Sequence, residues 1–214
     1  MRDRQGNYPT HHHANTKLTL TTQSPANNML IENIYCNWSG GCAIGSLGTG
    51  TRIPFTSHLL NPLLTHPEIS NIIYRNVYTQ QSNQMLMIKS NGGSGTVKNC
   101  SFSNFLGHTN AYSLDLNAYW SSQKTASGSG VQYTGLTFSN FKGTCSNGVQ
   151  RAPMNIICPS AVPCKGIVVD GFAVWTESGS SVLWKCENAQ GQGGCLAGNG
   201  NAVASVTSTI KSAP

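Results

Sequence analysis

Short runs of apolar and β-branched residues recur along this chain, and their spacing constrains the fold more than any other feature. Each run is interrupted by an asparagine or a glycine, and these anchors are Asn33, Asn76, Asn104, Asn140 and Gly171. The anchors are separated by 43, 28, 36 and 31 residues. Strands that recur about every 30 residues, without helical spacing, are typical of a solenoid of stacked coils. We therefore predict an all-β chain that forms a right-handed parallel β-helix.

Asparagine suits the corners of such coils, because its side chain bonds backbone groups and it tolerates left-handed geometry. The alternative is an antiparallel sandwich with glycine-rich turns, which would need frequent tight hairpins. Asn-Gly pairs, the strongest short hairpin signal, begin only at Asn91, Asn147 and Asn199. The pattern therefore favours the β-helix.

Two segments do not carry the coil pattern. Residues 51–67 lengthen the first interval and hold three prolines, so they are either a surface loop or an insertion that is not native. The regularity of the other intervals favours the insertion. Residues 197–214 are rich in Ala, Ser, Thr and Gly and are expected to form a flexible tail.

The charge distribution and the short apolar runs each argue against one class of partner. Charged residues make up 9% of the chain, and its 13 Lys and Arg side chains, against 7 Asp and Glu, are scattered. Nucleic-acid binding needs clustered positive charge, so we expect no nucleic-acid partner. No apolar run approaches the ~18 residues that a membrane span needs, so we expect no membrane partner.

Six of the eight cysteines lie close together in pairs along the chain. The pairs are Cys36 with Cys42, Cys158 with Cys164, and Cys186 with Cys195. None has the spacing of a zinc site, so we expect no metal ion, and short disulfide loops in an extracellular compartment are the better interpretation. Glycosylation sequons at Asn37 and Asn99 agree with that compartment. The chain opens without the basic and then apolar leader of a secreted protein, which favours a missing amino terminus over an intracellular protein.

Five longer runs carry a resemblance to a known family. The runs are SPANN at 24–28, YCNWSGGCAIGSLG at 35–48, IKSNGGSGT at 88–96, GHTNAYSLD at 107–115 and WTESGSS at 175–181. In this order they resemble the central and C-terminal part of the fungal rhamnogalacturonan hydrolases of the polygalacturonase-type glycoside hydrolase family 28. The likeness covers about residues 23–50 and 68–196. Residues 1–22 do not match, so a disordered start precedes a partial β-helix over 23–196.

The resemblance implies a pectin-lyase-like β-helix and a secreted, cofactor-free glycosidase. The family hydrolyses the rhamnogalacturonan backbone of pectin internally and with inversion, so a pectic polysaccharide is the expected partner of a monomer. Inversion needs two carboxyl groups ~6.5–9.5 Å apart. The family carries an Asp-Glu-Cys segment just before the SPANN run, whereas residues 16–23 here read TKLTLTTQ.

We therefore expect the helix to be truncated at its N-terminal end and this chain to be inactive or nearly so. Three alternatives stay open. The chain could be a homogalacturonan-cleaving relative of polygalacturonase, a non-catalytic pectin-binding remnant, or an incorrect gene model of a full-length hydrolase.

The resemblance also implies site residues. His108 matches an active-site histidine, and Asp115 is the acid closest to a recognisable motif, so both are candidate catalytic residues. Lys89 falls where polygalacturonases carry Arg-Ile-Lys and is expected to bind a galacturonate carboxylate. Tyr112 and Trp120 are candidate sugar-stacking rings, with burial in the core as the alternative.

Disulfides are implied within two of the pairs, Cys158–Cys164 and Cys186–Cys195. The family partner of Cys36 would lie in the missing acidic segment, so Cys36 either pairs with Cys42 or remains free. Cys100 and Cys145 have no assigned partner.

Overall fold

The computed structural model describes residues 18–20, 26–48, 68–196 and 206–211. The expected insertion at 51–67 lies outside the described residues, as does most of 1–22 and of 197–214. Two parallel sheets run along a single solenoid, and within the described residues no helix is long or apolar enough to cross a membrane. The parallel β-helix predicted from the spacing is confirmed, and the antiparallel sandwich was wrong.

Strands of the two sheets alternate along the chain. The first sheet contains β1 (Leu18–Leu20), β3 (Cys42–Leu47), β5 (Gln84–Ser90), β7 (Tyr112–Asn117), β9 (Met154–Ile157), β11 (Val182–Glu187) and β13 (Val206–Ile210). The second sheet contains β2 (Ala26–Asn37), β4 (Glu68–Gln80), β6 (Thr96–Asn110), β8 (Gln132–Cys145), β10 (Cys164–Thr176) and β12 (Ala189–Gln192). Each strand therefore pairs with its counterpart in the next coil rather than with its neighbour in sequence.

The anchors form a ladder at one corner of the coils. Asn33, Asn76, Asn104 and Asn140 all have φ between 54° and 58°, and each amide donates to the side-chain oxygen of the preceding member at 3.0–3.2 Å. Gly171 ends the series with φ 64°. A Cβ there would lie 2.9 Å from Asn140 Oδ1, so glycine satisfies both the backbone angle and the space.

A second corner lies five residues earlier in each long strand. It contains Asn28, Asn71, Asn99, Gly135 and Gly166, again with positive φ. Asn71 donates to Asn28 at 2.9 Å. The two corners bend each long strand of the second sheet into three short segments, which lets one strand wrap around the core.

The core consists of side chains that repeat from coil to coil. Phe102 stacks on Tyr74 and on Phe138, and Phe141 stacks on Phe105 and on Phe172, with ring centroids 4.6–6.2 Å apart. Aromatic pairs in these geometries add stabilisation beyond the area that they bury.

Two terminal strands lie in segments for which the sequence suggested no regular structure. Leu18–Leu20 pairs in parallel with β3, and Val206–Ile210 pairs antiparallel with β11. β13 is the one antiparallel strand of the described sheets.

Both implied disulfides are present, with Cα atoms 5.7 Å apart in Cys158–Cys164 and 5.6 Å apart in Cys186–Cys195. Cys36 and Cys42 are buried thiols in contact with each other rather than a disulfide. The Cys42 thiol lowers the pKa of Cys36 to about 7, against the opposing effect of burial. Cys100 and Cys145 are also buried thiols.

Candidate functional site

The outward face of the first sheet carries the polar side chains that its strands do not bury. Leu114 and Leu116 of β7 are fully buried in the core, so the alternating residues Asp115 and Asn117 face outward. The register places Met87 of β5 beside Asp115, and Lys89 beside Asn117. On the other side of β7, Asn155 of β9 lies beside Asp115, and it is followed by Lys185 of β11.

Asp115 is buried although it faces outward. Its side chain is 2% exposed, and Asn155 Nδ2 donates to its Oδ1 at 2.7 Å. Burial raises the pKa of Asp115 from 3.8 to about 6, while the Asn155 hydrogen bond and the charge of Lys89 oppose the shift. The carboxyl group is thus removed from water, with one amide donor and one nearby cation.

Tyr112 and Trp120 contact each other beside this part of the face. Their ring centroids are 5.8 Å apart in an edge contact, although Tyr112 begins β7 and Trp120 lies beyond its end. A strand of six residues spans roughly 20 Å, so the rings meet only by folding over the strand. Lys89 faces outward because it alternates with the buried Leu86 and Ile88 of β5. Trp120 contacts Lys89, so the rings lie on the outward side.

A cation contacts each of these rings. Lys89 Nζ lies 5.2 Å from the centre of the Trp120 ring, and Arg151 Cζ lies 4.8 Å from the centre of the Tyr112 ring. The four side chains are half-buried. We call Arg151, Tyr112, Trp120 and Lys89 the cation–ring row. Among the described residues, neither cation forms an ion pair within 4.0 Å.

The structure therefore brings together four of the predicted site residues, Lys89, Tyr112, Asp115 and Trp120. Sequence reasoning missed Arg151 and Asn155. Arg151 lies in an irregular turn before β9, and no motif marked it. Asn155 could have been found from the register of β7 and β9, which the sequence did not supply.

His108 does not join this group. It is exposed near the end of β6, where its Nδ1 lies 3.4 Å from Glu177 Oε1 and 3.4 Å from Thr144 Oγ1. Thr109 Oγ1 also donates to Glu177, at 2.5 Å. His108 thus belongs to an exposed polar contact near the ends of β6, β8 and β10.

The other described carboxylates lie apart from Asp115. Glu32 pairs with Arg75 and Glu68 pairs with Lys98, all in the second sheet. Glu187 shares the first sheet with Asp115 but lies two strands and two residues away. That offset corresponds to about 12 Å between Cα atoms. Within the described ranges, no three His, Cys, Asp or Glu side chains form a group that could hold a metal ion.

The two sequons differ in accessibility. Asn99 is exposed at the second corner, whereas Asn37 is half-buried at the end of β2. Asn37 Oδ1 is buried and has no hydrogen-bond partner in the part of the chain that the structure describes.

Comparison with known proteins identifies the family. A family model for glycosyl hydrolases family 28 matches residues 19–196. The chain belongs to glycosyl hydrolases family 28. A probable rhamnogalacturonase B of Aspergillus fumigatus is 51% identical over 197 residues, which are 91% of this chain and 35% of that protein. Rhamnogalacturonase A of Aspergillus aculeatus is 49% identical over 196 residues, 91% of this chain and 41% of that protein.

This family 28 chain thus spans about two fifths or less of the length of the curated relatives that it matches. Among solved structures, an endo-xylogalacturonan hydrolase from Aspergillus tubingensis matches 75% of this chain and 41% of its own. The TM-score is 0.57 and the identity 20%, so that likeness bears on the fold alone.

Proposed function

We propose that this protein acts on the rhamnogalacturonan backbone of pectin and that the outward face of the first sheet is its binding surface. The observation that carries the proposal is the position of Lys89, a cation on the outward face that rests on Trp120 and has no carboxylate within 4.0 Å among the described residues. The names of the relatives support rhamnogalacturonan as the polymer.

Lys89 binds a galacturonate carboxylate in this proposal. A charge-assisted hydrogen bond from an ammonium group is about twice as strong as a neutral one. Trp120 offers apolar surface beside that charge, which suits the carbon-bound hydrogens of a sugar ring.

Asp115 positions Lys89 rather than transferring a proton to substrate. Its carboxyl group is 2% exposed, so a sugar cannot reach it without displacement of the neighbouring side chains. Its charge holds the ammonium of Lys89 at this point of the face, and Asn155 fixes the carboxylate by its hydrogen bond.

The described residues bind the polymer better than they cleave it. Inverting hydrolysis needs two carboxyl groups ~6.5–9.5 Å apart on either side of the bond. Asp115 is buried, and Glu187 lies about 12 Å away by backbone register. We therefore predict slow or undetectable cleavage by this chain acting alone.

His108 is a contact at the rim of the binding surface in this proposal. Four residues after it, the chain enters β7 at Tyr112, so its exposed pair with Glu177 lies beside the start of the outward face. The imidazole can bond a sugar hydroxyl there. The protein functions outside the cell as a monomer, and its two disulfides fit that compartment.

The test compares rhamnogalacturonan with homogalacturonan, using the full chain. Reducing ends report cleavage, and retardation in a gel that contains the polymer reports binding. We expect retardation by rhamnogalacturonan with few or no new reducing ends. A folded chain that neither polymer retards would contradict the proposed function, and rapid cleavage would contradict the proposed role of Asp115.

A further inference from the structure

Two cations lie at opposite ends of β7 on the outward face. Lys89 is level with Asn117, the last residue of β7. Met154 is level with Leu114, and Arg151 lies in the irregular turn before Met154, where it contacts Tyr112, the first residue of β7. Lys89 therefore lies near the end of β7 and Arg151 near its start.

Aromatic surface fills the space between these cations. Lys89 contacts Trp120, Trp120 contacts Tyr112, and Tyr112 contacts Arg151. The cation–ring row thus presents positive charge, apolar surface and positive charge in that order. Asp115 is 2% exposed, so its carboxylate does not interrupt the row at the surface.

The guanidinium group of Arg151 is positioned to bind an anion. Its guanidinium group packs on Tyr112 while its donors keep no carboxylate partner within 4.0 Å among the described residues. A guanidinium group fixed on an aromatic ring loses less side-chain entropy when it binds, and its planar donors match a carboxylate in two hydrogen bonds.

We propose that Arg151 is a second carboxylate-binding residue and that the cation–ring row selects a polymer in which uronates alternate with neutral sugars. One carboxylate binds Lys89, the next binds Arg151, and the neutral sugar between them lies on Trp120 and Tyr112. A polymer of uronates alone places a further carboxylate between these two, where the row offers no third cation. The inference rests on the proposed function, because it assumes that this face binds a pectic polymer.

The experiment measures the affinity of the full chain for three polymers. They are rhamnogalacturonan, homogalacturonan and a rhamnogalacturonan whose carboxyl groups have been reduced to alcohols. The variants are Arg151→Gln and Arg151→Lys, with Lys142→Gln as the matched control. Lys142 is exposed on β8 in the second sheet, so the control removes the same charge away from the row. Thermal unfolding of each variant reports whether the fold is intact.

We expect Arg151→Gln to weaken binding of rhamnogalacturonan by about three- to tenfold, the range for a partly exposed charge-assisted contact. The loss should be smaller for homogalacturonan and absent for the carboxyl-reduced polymer, and Arg151→Lys should restore part of it. Equal losses in Arg151→Gln and Lys142→Gln, or an equal loss on both native polymers, would overturn the inference. If the unaltered chain binds neither native polymer, the proposed function itself fails, and the two failures are therefore distinguishable.

Discussion

Asn155 donates its side-chain amide to the carboxylate of Asp115 at 2.7 Å, from β9 to the neighbouring strand β7. The pair lies on the outward face, yet Asp115 is 2% exposed. A buried carboxylate with a single amide donor is costly to ionise, and this cost makes the stability of the protein depend on pH.

Replacement of Asp115 by Asn should remove that dependence. The folded pKa, about 6, is above the ordinary 3.8, so the fold disfavours the charged form. The protein gains its full stability from the neutral acid below about pH 4. As the pH rises through 6, the free energy of unfolding falls by about 3 kcal/mol, the amount expected for a pKa shift of two units. We expect Asp115→Asn to match the unaltered chain at pH 4 and to exceed it by up to that amount at pH 8. Urea unfolding at both pH values measures the difference.

Asp170→Asn is the matched control for this series, because Asp170 is exposed on β10. An equal change for the two variants at pH 8 would contradict the explanation by burial.

Replacement of Lys89 by Gln should weaken binding of a uronate polymer. The substitution keeps a polar chain of similar length and removes the charge beside Trp120. We expect a loss of affinity for rhamnogalacturonan of about tenfold at low ionic strength, and a smaller loss in salt, because salt screens partly exposed charges. Titration at two salt concentrations checks this. An unchanged affinity at low salt would exclude Lys89 as a contact.

The asparagine ladder should be sensitive to backbone conformation as well as to hydrogen bonding. Asn104 has φ 58°, donates to Asn76 and accepts from Asn140. Asn104→Ala loses both bonds and keeps a Cβ in the left-handed region without the polar side chain that makes asparagine tolerant of it, which should cost about 2–3 kcal/mol of unfolding free energy. Asn104→Gly loses the same bonds without that strain and should cost less. Denaturant unfolding of the two variants separates the contributions, and equal costs would argue against strain at this corner.

Glycan occupancy should differ between the two sequons. The side chain of Asn99 is exposed, whereas Asn37 has a buried Oδ1 and a half-buried side chain. In a secreting host we expect a glycan on Asn99, lost in Asn99→Gln, and none on Asn37. Mass spectrometry of the intact chain and of both Gln variants measures this. A mass decrease in Asn37→Gln would contradict the expectation.

The sequence predicted the fold well because its repeating element is local. The anchors Asn33, Asn76, Asn104 and Asn140 occupy one corner, since that corner needs a positive φ which asparagine tolerates. The sequence did not predict the second corner, because three asparagines and two glycines share it and no single residue type marks the series. The antiparallel β13 was also not expected, because the overall Ala-, Ser- and Gly-rich composition of 197–214 obscured its five residues, of which four are β-branched.

The site was only partly predictable. Lys89, Tyr112 and Trp120 were found from motifs and residue types, and the structure groups them around Asp115. Arg151 and Asn155 were missed because they reach the group through the stacking of coils, a relationship that spans about 40 residues of sequence in the case of Asn155. His108 followed from a motif, but it lies on the second sheet beside Glu177.

Hydrogen exchange with and without a rhamnogalacturonan oligosaccharide tests most directly whether the outward face of the first sheet binds the polymer. We predict slower exchange in 84–90 and 112–120, which contain β5, β7 and Trp120, and no change in the middle of β4 and β6. Slower exchange confined to the second sheet, with β5 and β7 unaffected, would contradict the account.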